Sequence, residues 1–417
     1  MKIKKEVLVL TIMVLGLLSA CTAPLVGITP TPGDKSAEAT PVIDNTATDI
    51  PTQEPTPTPQ VEATPTETQS PVSGWVAFIG MDGNVELVER SSGETRQITS
   101  DAVPFTSDES NIPVRYCCLQ WSSDGNYLSY MREEVVPTEN NAYDSNYTFL
   151  LYDLPVDSSR VIIPDQNVLG YEWQPGTHSI AYGLPVELDY WISRTSVRAE
   201  SAHGIQLMDV DTGETHELVP PERGYTLGMP RWSPDGRFLS FDEIQYMEGR
   251  GIISYFDMMK NEYVSREDQI LGSYDWSPDG EQLAYDKIDY RAQGGERIWL
   301  SPRDDGQETA ISPAYEPPAY AFSPAFSPDG EKIAFLVNHS GLDVENYVFN
   351  VMVMDATGST PVDYGIFEQV WQLHWTSDGN FLIFSAGPTD QKLVIEVNLA
   401  ENSYRQLAQG SEAIPQP

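Results

Sequence analysis

The sequence predicts an all-β fold, a β-propeller of seven four-stranded blades, with six as the alternative. Three observations carry this. First, one motif recurs six times: Trp121-Ser-Ser-Asp-Gly125, Trp173-Gln-Pro-Gly176, Trp232-Ser-Pro-Asp-Gly236, Trp276-Ser-Pro-Asp-Gly280, Phe326-Ser-Pro-Asp-Gly330 and Trp375-Thr-Ser-Asp-Gly379. Second, each copy is followed by a short apolar–small–aromatic segment: Leu128-Ser-Tyr130, Ile180-Ala-Tyr182, Leu239-Ser-Phe241, Leu283-Ala-Tyr285, Ile333-Ala-Phe335 and the looser Leu382-Ile-Phe384. Val76-Ala-Phe78 is a seventh copy without the preceding Trp. Third, the aromatic positions advance by 52, 52, 59, 44, 50 and 49 residues. Self-similarity at that period marks stacked β units, each too small to bury its own faces.

Each repeat reads as four strands. Strand A ends at the Trp. In the turn that follows, Pro fixes φ, Asp bonds back to the backbone and Gly accepts positive φ. Strand B is the apolar–small–aromatic segment, whose alternate residues face opposite sides of the sheet. Strand C is typified by Ile205–Asp209, Ile298–Leu300 and Val351–Asp355. A polar turn then leads to strand D, as in His216–Val219 and Arg405–Leu407. The Trp is expected to pack between neighbouring blades. The first blade has B, C and D at Val76–Phe78, Val85–Val88 and Arg96–Ile98, but no A strand before them. The C-terminal Glu412-Ala-Ile414 is a candidate to supply it. A three-stranded first blade, or six blades and an added hairpin, are the alternatives.

These residues resemble the TolB-type, WD-like β-propeller family, whose hallmark is the W-S-P-D-G turn before an apolar–Ala–Phe strand. The resemblance covers residues 74–410. No counterpart of the α/β domain that precedes the TolB propeller is read here, so an envelope-complex role of that kind does not transfer. Related propellers precede the catalytic domain of prolyl oligopeptidase-like enzymes. No such domain is expected after residue 410, and no Gly-x-Ser-x-Gly elbow is present.

The expected organisation is a signal peptide over residues 1–20, a lipidated Cys21 and Thr/Pro-rich linker over 21–73, the propeller over 74–410, and a tail over 411–417 that closes the ring. Lys2, Lys4 and Lys5 precede an apolar run from Val7 to Leu18 that is too short for an ordinary bilayer span. Leu18-Ser-Ala-Cys21 resembles the lipobox of bacterial lipoproteins. That resemblance implies an acylated Cys21, membrane anchoring and an exported domain facing outside the cytoplasm. The plain alternative is a secretory signal with a chance Cys. The linker repeats Thr-Pro and lacks the apolar surface to offset chain entropy. Fully extended as polyproline II it would reach on the order of 160 Å.

The formal net charge is −38. Such a field repels nucleic acid, which is therefore not an expected partner. Cys117 and Cys118 are adjacent and cannot close a long loop. They read either as small strand residues on opposite faces or as a vicinal disulfide, redox or metal-reactive pair.

The Asp residues of the repeated turns read as turn formers. Function is expected on the opposite face, where the B–C and D–A connections lie and where the longest B–C insertions fall, at about 132–147 and 184–204. Candidate ligand-binding residues there are Tyr143, Tyr190, Trp191, Arg194, Arg198, His203, Tyr290 and Arg291, since aromatic and Arg side chains together are common recognition groups. The competing reading is a solvated polar rim. Glu133, Asp242 and Asp286 follow strand B and are hard-oxygen donors suited to Ca²⁺ if they converge, although no calcium-loop spacing is present. No other cofactor is implied. The five His residues lack metal-ligand spacing, and phosphate loops and HExxH are absent. The sequence thus favours a non-catalytic, lipid-anchored binding module for a protein, peptide or glycan. A hydrolase or lyase acting on polysaccharide through loop carboxylates is the first alternative, and a sensor or scaffold of an envelope complex the second.

Overall fold

The computed structural model describes residues 74–417 apart from 105–111, 138–142, 165, 167, 169, 194–195, 222–224, 246–250, 271, 287–296, 304–307, 317–318, 340–346 and 371. The expected signal peptide, Cys21 and linker lie outside the described residues. Every regular element described is a strand.

The first unit is β1 (Trp75–Gly80), β2 (Val85–Glu89) and β3 (Thr95–Gln97). The second is β4 (Val114–Trp121), β5 (Tyr127–Pro137), β6 (Tyr143–Asp153) and β7 (Ser158–Ile163). The third is β8 (Tyr171–Trp173), β9 (Ser179–Ser193), β10 (Ser196–Asp209) and β11 (Thr215–Val219). The fourth is β12 (Tyr225–Trp232), β13 (Phe238–Gln245), β14 (Gly251–Asp257) and β15 (Glu262–Ile270). The fifth is β16 (Tyr274–Trp276), β17 (Gln282–Asp286), β18 (Ile298–Pro302) and β19 (Thr309–Ala310). The sixth is β20 (Tyr320–Phe326), β21 (Lys332–Asn338), β22 (Val348–Asp355) and β23 (Val362–Glu368). The seventh is β24 (His374–Trp375), β25 (Phe381–Ala386), β26 (Leu393–Asn398) and β27 (Ser403–Pro415).

Within each unit consecutive strands pair antiparallel, and the units fall into five hydrogen-bonded sheets. Two sheets are double. The His203↔Thr226 bridge joins the third and fourth units. In the other, β27 pairs first with β26, then crosses and pairs with β1 through Val76↔Pro415, Ala77↔Ile414 and Gly80↔Gly410. The C-terminal strand is therefore both the D strand of the last blade and the A strand of the first. It leaves no open edge at the seam.

Apolar packing closes the same circuit. Each buried cluster spans two consecutive blades. Leu87 with Trp121 and Leu128 joins the first to the second. Phe149 with Trp173 and Ile180 joins the second to the third, and Ile205 with Trp232 and Leu239 the third to the fourth. Tyr255 with Trp276 and Leu283 follows, then Ile298 with Phe326 and Ile333, then Val351 with Leu382 and Ile395. Val76 and Phe78 with Ile383 and Val394 complete the round. At this last seam Glu396, 3 % exposed, accepts ion pairs from Arg90 at 2.7 Å and Arg405 at 2.6 Å.

The repeated turn does what its chemistry predicts. In the fourth blade Ser233 Oγ donates to Asp235, Asp235 accepts the Arg237 N–H, and the Gly236 N–H closes onto the Ser233 carbonyl. The same bonds recur around Asp124, Asp279, Asp329 and Asp378. These aspartates are consumed by the turn.

Candidate functional site

Antiparallel four-strand connectivity puts the Asp-Gly turns on one face and the B–C and D–A connections on the other. On the latter face the expected loops are hairpins. β9 and β10 contain 15 and 14 residues and stay paired out to Ser193↔Ser196. β5 and β6 contain 11 each. By contrast β17 and β18 contain five each. The insertions at 132–147 and 184–204 thus extend the B and C strands, because the backbone satisfies itself by pairing across a short connection, five residues between β5 and β6 and two between β9 and β10.

Tyr190, Trp191, Arg198 and His203 lie on the β9–β10 arm, with Tyr190 opposite Arg198 and Trp191 opposite Val197. Tyr143 opens β6 opposite Pro137. The side chains of these five are not described. Arg194, Tyr290 and Arg291 lie outside the described residues. At the foot of the β5–β6 arm a cavity of about 340 Å³ is lined by Asp101, Tyr116, Tyr130, Arg132, Leu150 and Ser159, among others. Arg132 pairs there with Asp101 at 3.0 Å and Glu134 at 2.6 Å.

The expected convergence of Glu133, Asp242 and Asp286 on a cation is not found. Among the described residues no group of three His, Cys, Asp or Glu side chains is placed to hold a metal ion. Glu133 is turned to protein partners, pairing with Arg115 at 2.6 Å and accepting from Ser145 and Tyr147. Asp286 accepts the Ser273 and Ser323 N–H groups at 3.0 and 3.2 Å and the Ser273 hydroxyl. The carboxylates follow equivalent strands, yet Glu133 is held within its own blade and Asp286 by its own blade and the next.

The channel is where sequence reasoning missed residues. The D strands are the exposed edges, β3, β7 and β11 among them. The A strands are therefore innermost. The residue before each motif aromatic is Gln120, Glu172, Arg231, Asp275, Ala325 or His374. The aromatic turns back onto the preceding blade, so its neighbour on a strand turns the other way. Gln120 donates to the Tyr171 carbonyl at 2.7 Å, and Asp275 accepts the Phe326 N–H at 2.8 Å. Each of these neighbours is half-buried, keeping some accessible surface. Partial exposure on an innermost strand is what the wall of a propeller's central channel gives.

Arg231 is the electrostatic centre. Its guanidinium lies 5.3 Å from the Tyr274 ring centroid. Burial works against its charge, and Tyr274, Glu172, Asp275 and Asp242 more than offset this. Burial pushes the Glu172 carboxyl up to about 8, with Arg231 opposing. It pushes Asp242 up to about 7 and Asp275 up to about 6, again against Arg231. His374, three blades round from Arg231, is driven down to about 4 by burial and then by that same guanidinium. Both side chains stand on innermost strands, β12 and β24.

The inner strands share one backbone device. Three residues before the aromatic, φ is positive at Cys118 (65°), Met229 (51°) and Ser323 (54°), and at Gly170 (71°). The pairing register shifts at the first three. Glu412 (51°) marks the same kink in the C-terminal strand. Such bulges re-aim side chains at barrel and ring interiors.

Comparison with known proteins agrees with this architecture. Solved structures of similar fold include an oligogalacturonate lyase in complex with manganese, at 12% identity over 81% of this chain and 84% of that one, with a TM-score of 0.53. An oligogalacturonate lyase from Vibrio parahaemolyticus aligns at 13% identity over 81% and 87%, with a TM-score of 0.51. A prolyl endopeptidase aligns at 12% identity over 80% of this chain and 46% of its own, with a TM-score of 0.56, so the chain spans about half of that enzyme. No curated protein sequence matches. The profile of the TolB beta propeller domain matches residues 188–415, more than half of the chain. The chain belongs to the TolB beta propeller domain family.

Proposed function

We propose that this propeller is a non-catalytic binding module, lipid-anchored at Cys21 and held outside the cytoplasm on the 22–73 linker. It captures a protein, peptide or glycan on the face from which β5–β6 and β9–β10 extend. The length of the paired β9–β10 arm carries this reading. Backbone pairing already orders the hairpin that carries positions 190, 191 and 198, so little backbone entropy is lost when a partner binds. The cavity at the foot of the neighbouring arm adds a concave polar and aromatic contact on the same face. The triple substitution of Tyr190, Trp191 and Arg194 by Ala should abolish capture of a partner from envelope extract and leave the Tm within about 2 °C of the parent, a shift small beside those of core substitutions. Undiminished capture removes this surface from consideration.

A second reading, an acid–base enzyme acting on polysaccharide, is favoured by one observation. Glu172 and Asp242 have carboxyl groups pushed up to about 8 and about 7 beside Arg231, and groups that titrate near neutrality suit proton transfer. Degradation of a polysaccharide panel by the purified chain, lost in Glu172→Gln with the fold intact, would support it. No product across the panel counts against it.

A further inference from the structure

We propose that Cys117 and Cys118 form a redox-active vicinal pair that closes into a disulfide and thereby controls the seam where the ring is shut. On a regular strand neighbouring side chains point to opposite faces. Here the backbone turns left-handed at Cys118, φ 65°, and the pairing with β5 shifts register between Cys117 and Gln120, so that alternation is broken at the pair. Cys118 is exposed, and Cys117 packs behind it against the cluster between the second and third blades. An accessible thiol with a second thiol on the adjacent residue is the arrangement of an attacking and a resolving cysteine.

The position gives the pair something to act on. The Cys118 N–H donates to Glu412 at 2.5 Å, and the Cys118 carbonyl accepts from the Tyr171 hydroxyl. One residue thus holds the inner strands of the first, second and third blades. Glu412 belongs to the C-terminal strand that completes the first blade. The same seam is stitched by Trp121 Nε1 to the Ile414 carbonyl at 3.3 Å and Gln416 Nε2 to the Gly125 carbonyl at 2.8 Å. A disulfide between adjacent residues makes their shared peptide part of a small ring. The Cys118 N–H is then no longer free to stay on Glu412, and oxidation loosens the C-terminal strand.

With a small-molecule disulfide as oxidant the chemistry balances. Cys118 attacks one sulfur of oxidised glutathione and releases one molecule of reduced glutathione. Cys117 attacks the mixed disulfide and releases the second. Two electrons pass to glutathione, and the two thiol protons leave with the two glutathione thiols. The neighbouring Cys118 and then burial hold the Cys117 thiol well above its ordinary range. The dithiol form therefore gains no thiolate stabilisation, which favours the disulfide, while the exposed position of Cys118 keeps it open to exchange.

The test is a redox titration of the full chain in glutathione buffers, quenched by alkylation and read on the tryptic peptide from Tyr116 to Arg132, which excludes Cys21. The expected result is joint loss of both thiols, a peptide lighter by two hydrogens, and no retained glutathione. Cys117→Ser should instead hold glutathione on Cys118. A peptide that stays reduced throughout, or a stable glutathione adduct in the parent chain, overturns the pair. Glu412→Gln keeps an acceptor for the Cys118 N–H but removes its charge. It should lower the oxidised glutathione needed for half-oxidation by roughly 3-fold or more, and an unchanged midpoint overturns the coupling to the seam.

Discussion

Each indole of the repeated motif has a specific need, and the chain meets it unevenly. Trp173 donates to Ser129 Oγ at 2.9 Å, and Trp276 to Ser240 Oγ at 3.0 Å. In both cases the acceptor is the small residue of the preceding blade's B strand. That serine hydroxyl itself donates to an A-strand carbonyl, Gln120 or Arg231. Where the small residue is Ala334 the indole of Trp375 uses the Ala325 carbonyl instead. Where it is Ala284 the next aromatic is Phe326, which has no N–H to satisfy. Trp232 faces Ala181 in the same cluster, and its Nε1 is buried with no partner among the described residues. Ala181→Ser should supply the missing acceptor and stabilise the protein by about 1 kcal/mol, while Ser240→Ala should cost about 1–3 kcal/mol by orphaning Trp276. Urea unfolding of both variants checks this. Loss of stability in Ala181→Ser would mean the hydroxyl does not reach the indole.

Among the elements, β27 bears the most on the fold, because one strand serves two blades. Gly410 is the crossing point. A Cβ there would stand 2.3 Å from the Ile79 carbonyl oxygen and 2.5 Å from the Phe78 ring. Neither backbone nor a buried ring yields cheaply. Gly410→Ala should therefore destabilise by about 1–3 kcal/mol, the usual cost of overpacking. Removing residues 411–417 should do more, since it strips β1 of its partner and leaves an apolar edge strand open to other chains. Soluble yield and light scattering of the truncated chain are the measurements. A monomeric truncation with an unaltered Tm would show that the last blade closes the ring without this strand. The β9–β10 arm illustrates the limit of sequence reading at this scale. Its length was legible as an insertion, but the choice between loop and hairpin rested on pairing partners that only the fold brings into register.

At the scale of the molecule, the inner strands gather titratable groups that no local pattern would place together. Glu172 is raised from an ordinary 4.5 to about 8, and Asp242 from 3.8 to about 7. Across that window the folded chain keeps protons that the unfolded chain has released. Stability therefore falls as pH rises from about 4.5 to about 8, by at most ~1.4 kcal/mol per pH unit for each such group. The turn aspartates Asp279, Asp329 and Asp378 are lowered and so act at the acid end, below 3.8, where their protonation removes stability. Tm measured from about pH 5 to about pH 8 at fixed ionic strength should decline, and Glu172→Gln should flatten the decline. An identical slope in that variant would show that Glu172 does not hold its proton in the folded ring.

What the sequence determined by itself was the repeated unit. Trp, the Ser-Pro-Asp-Gly turn and the apolar–small–aromatic strand act within a few residues of one another, so their chemistry is readable without a fold. The number of B strands and the spare C-terminal Glu412-Ala-Ile414 followed from the same counting. The closed circuit of clusters, the Arg231-centred group of inner-strand residues and the kink at Cys118 were decided only by tertiary structure. Each depends on residues brought together from different blades, or on a left-handed kink where a strand was expected. Alternation along a strand fixes which way a side chain points, but not which distant side chain it meets.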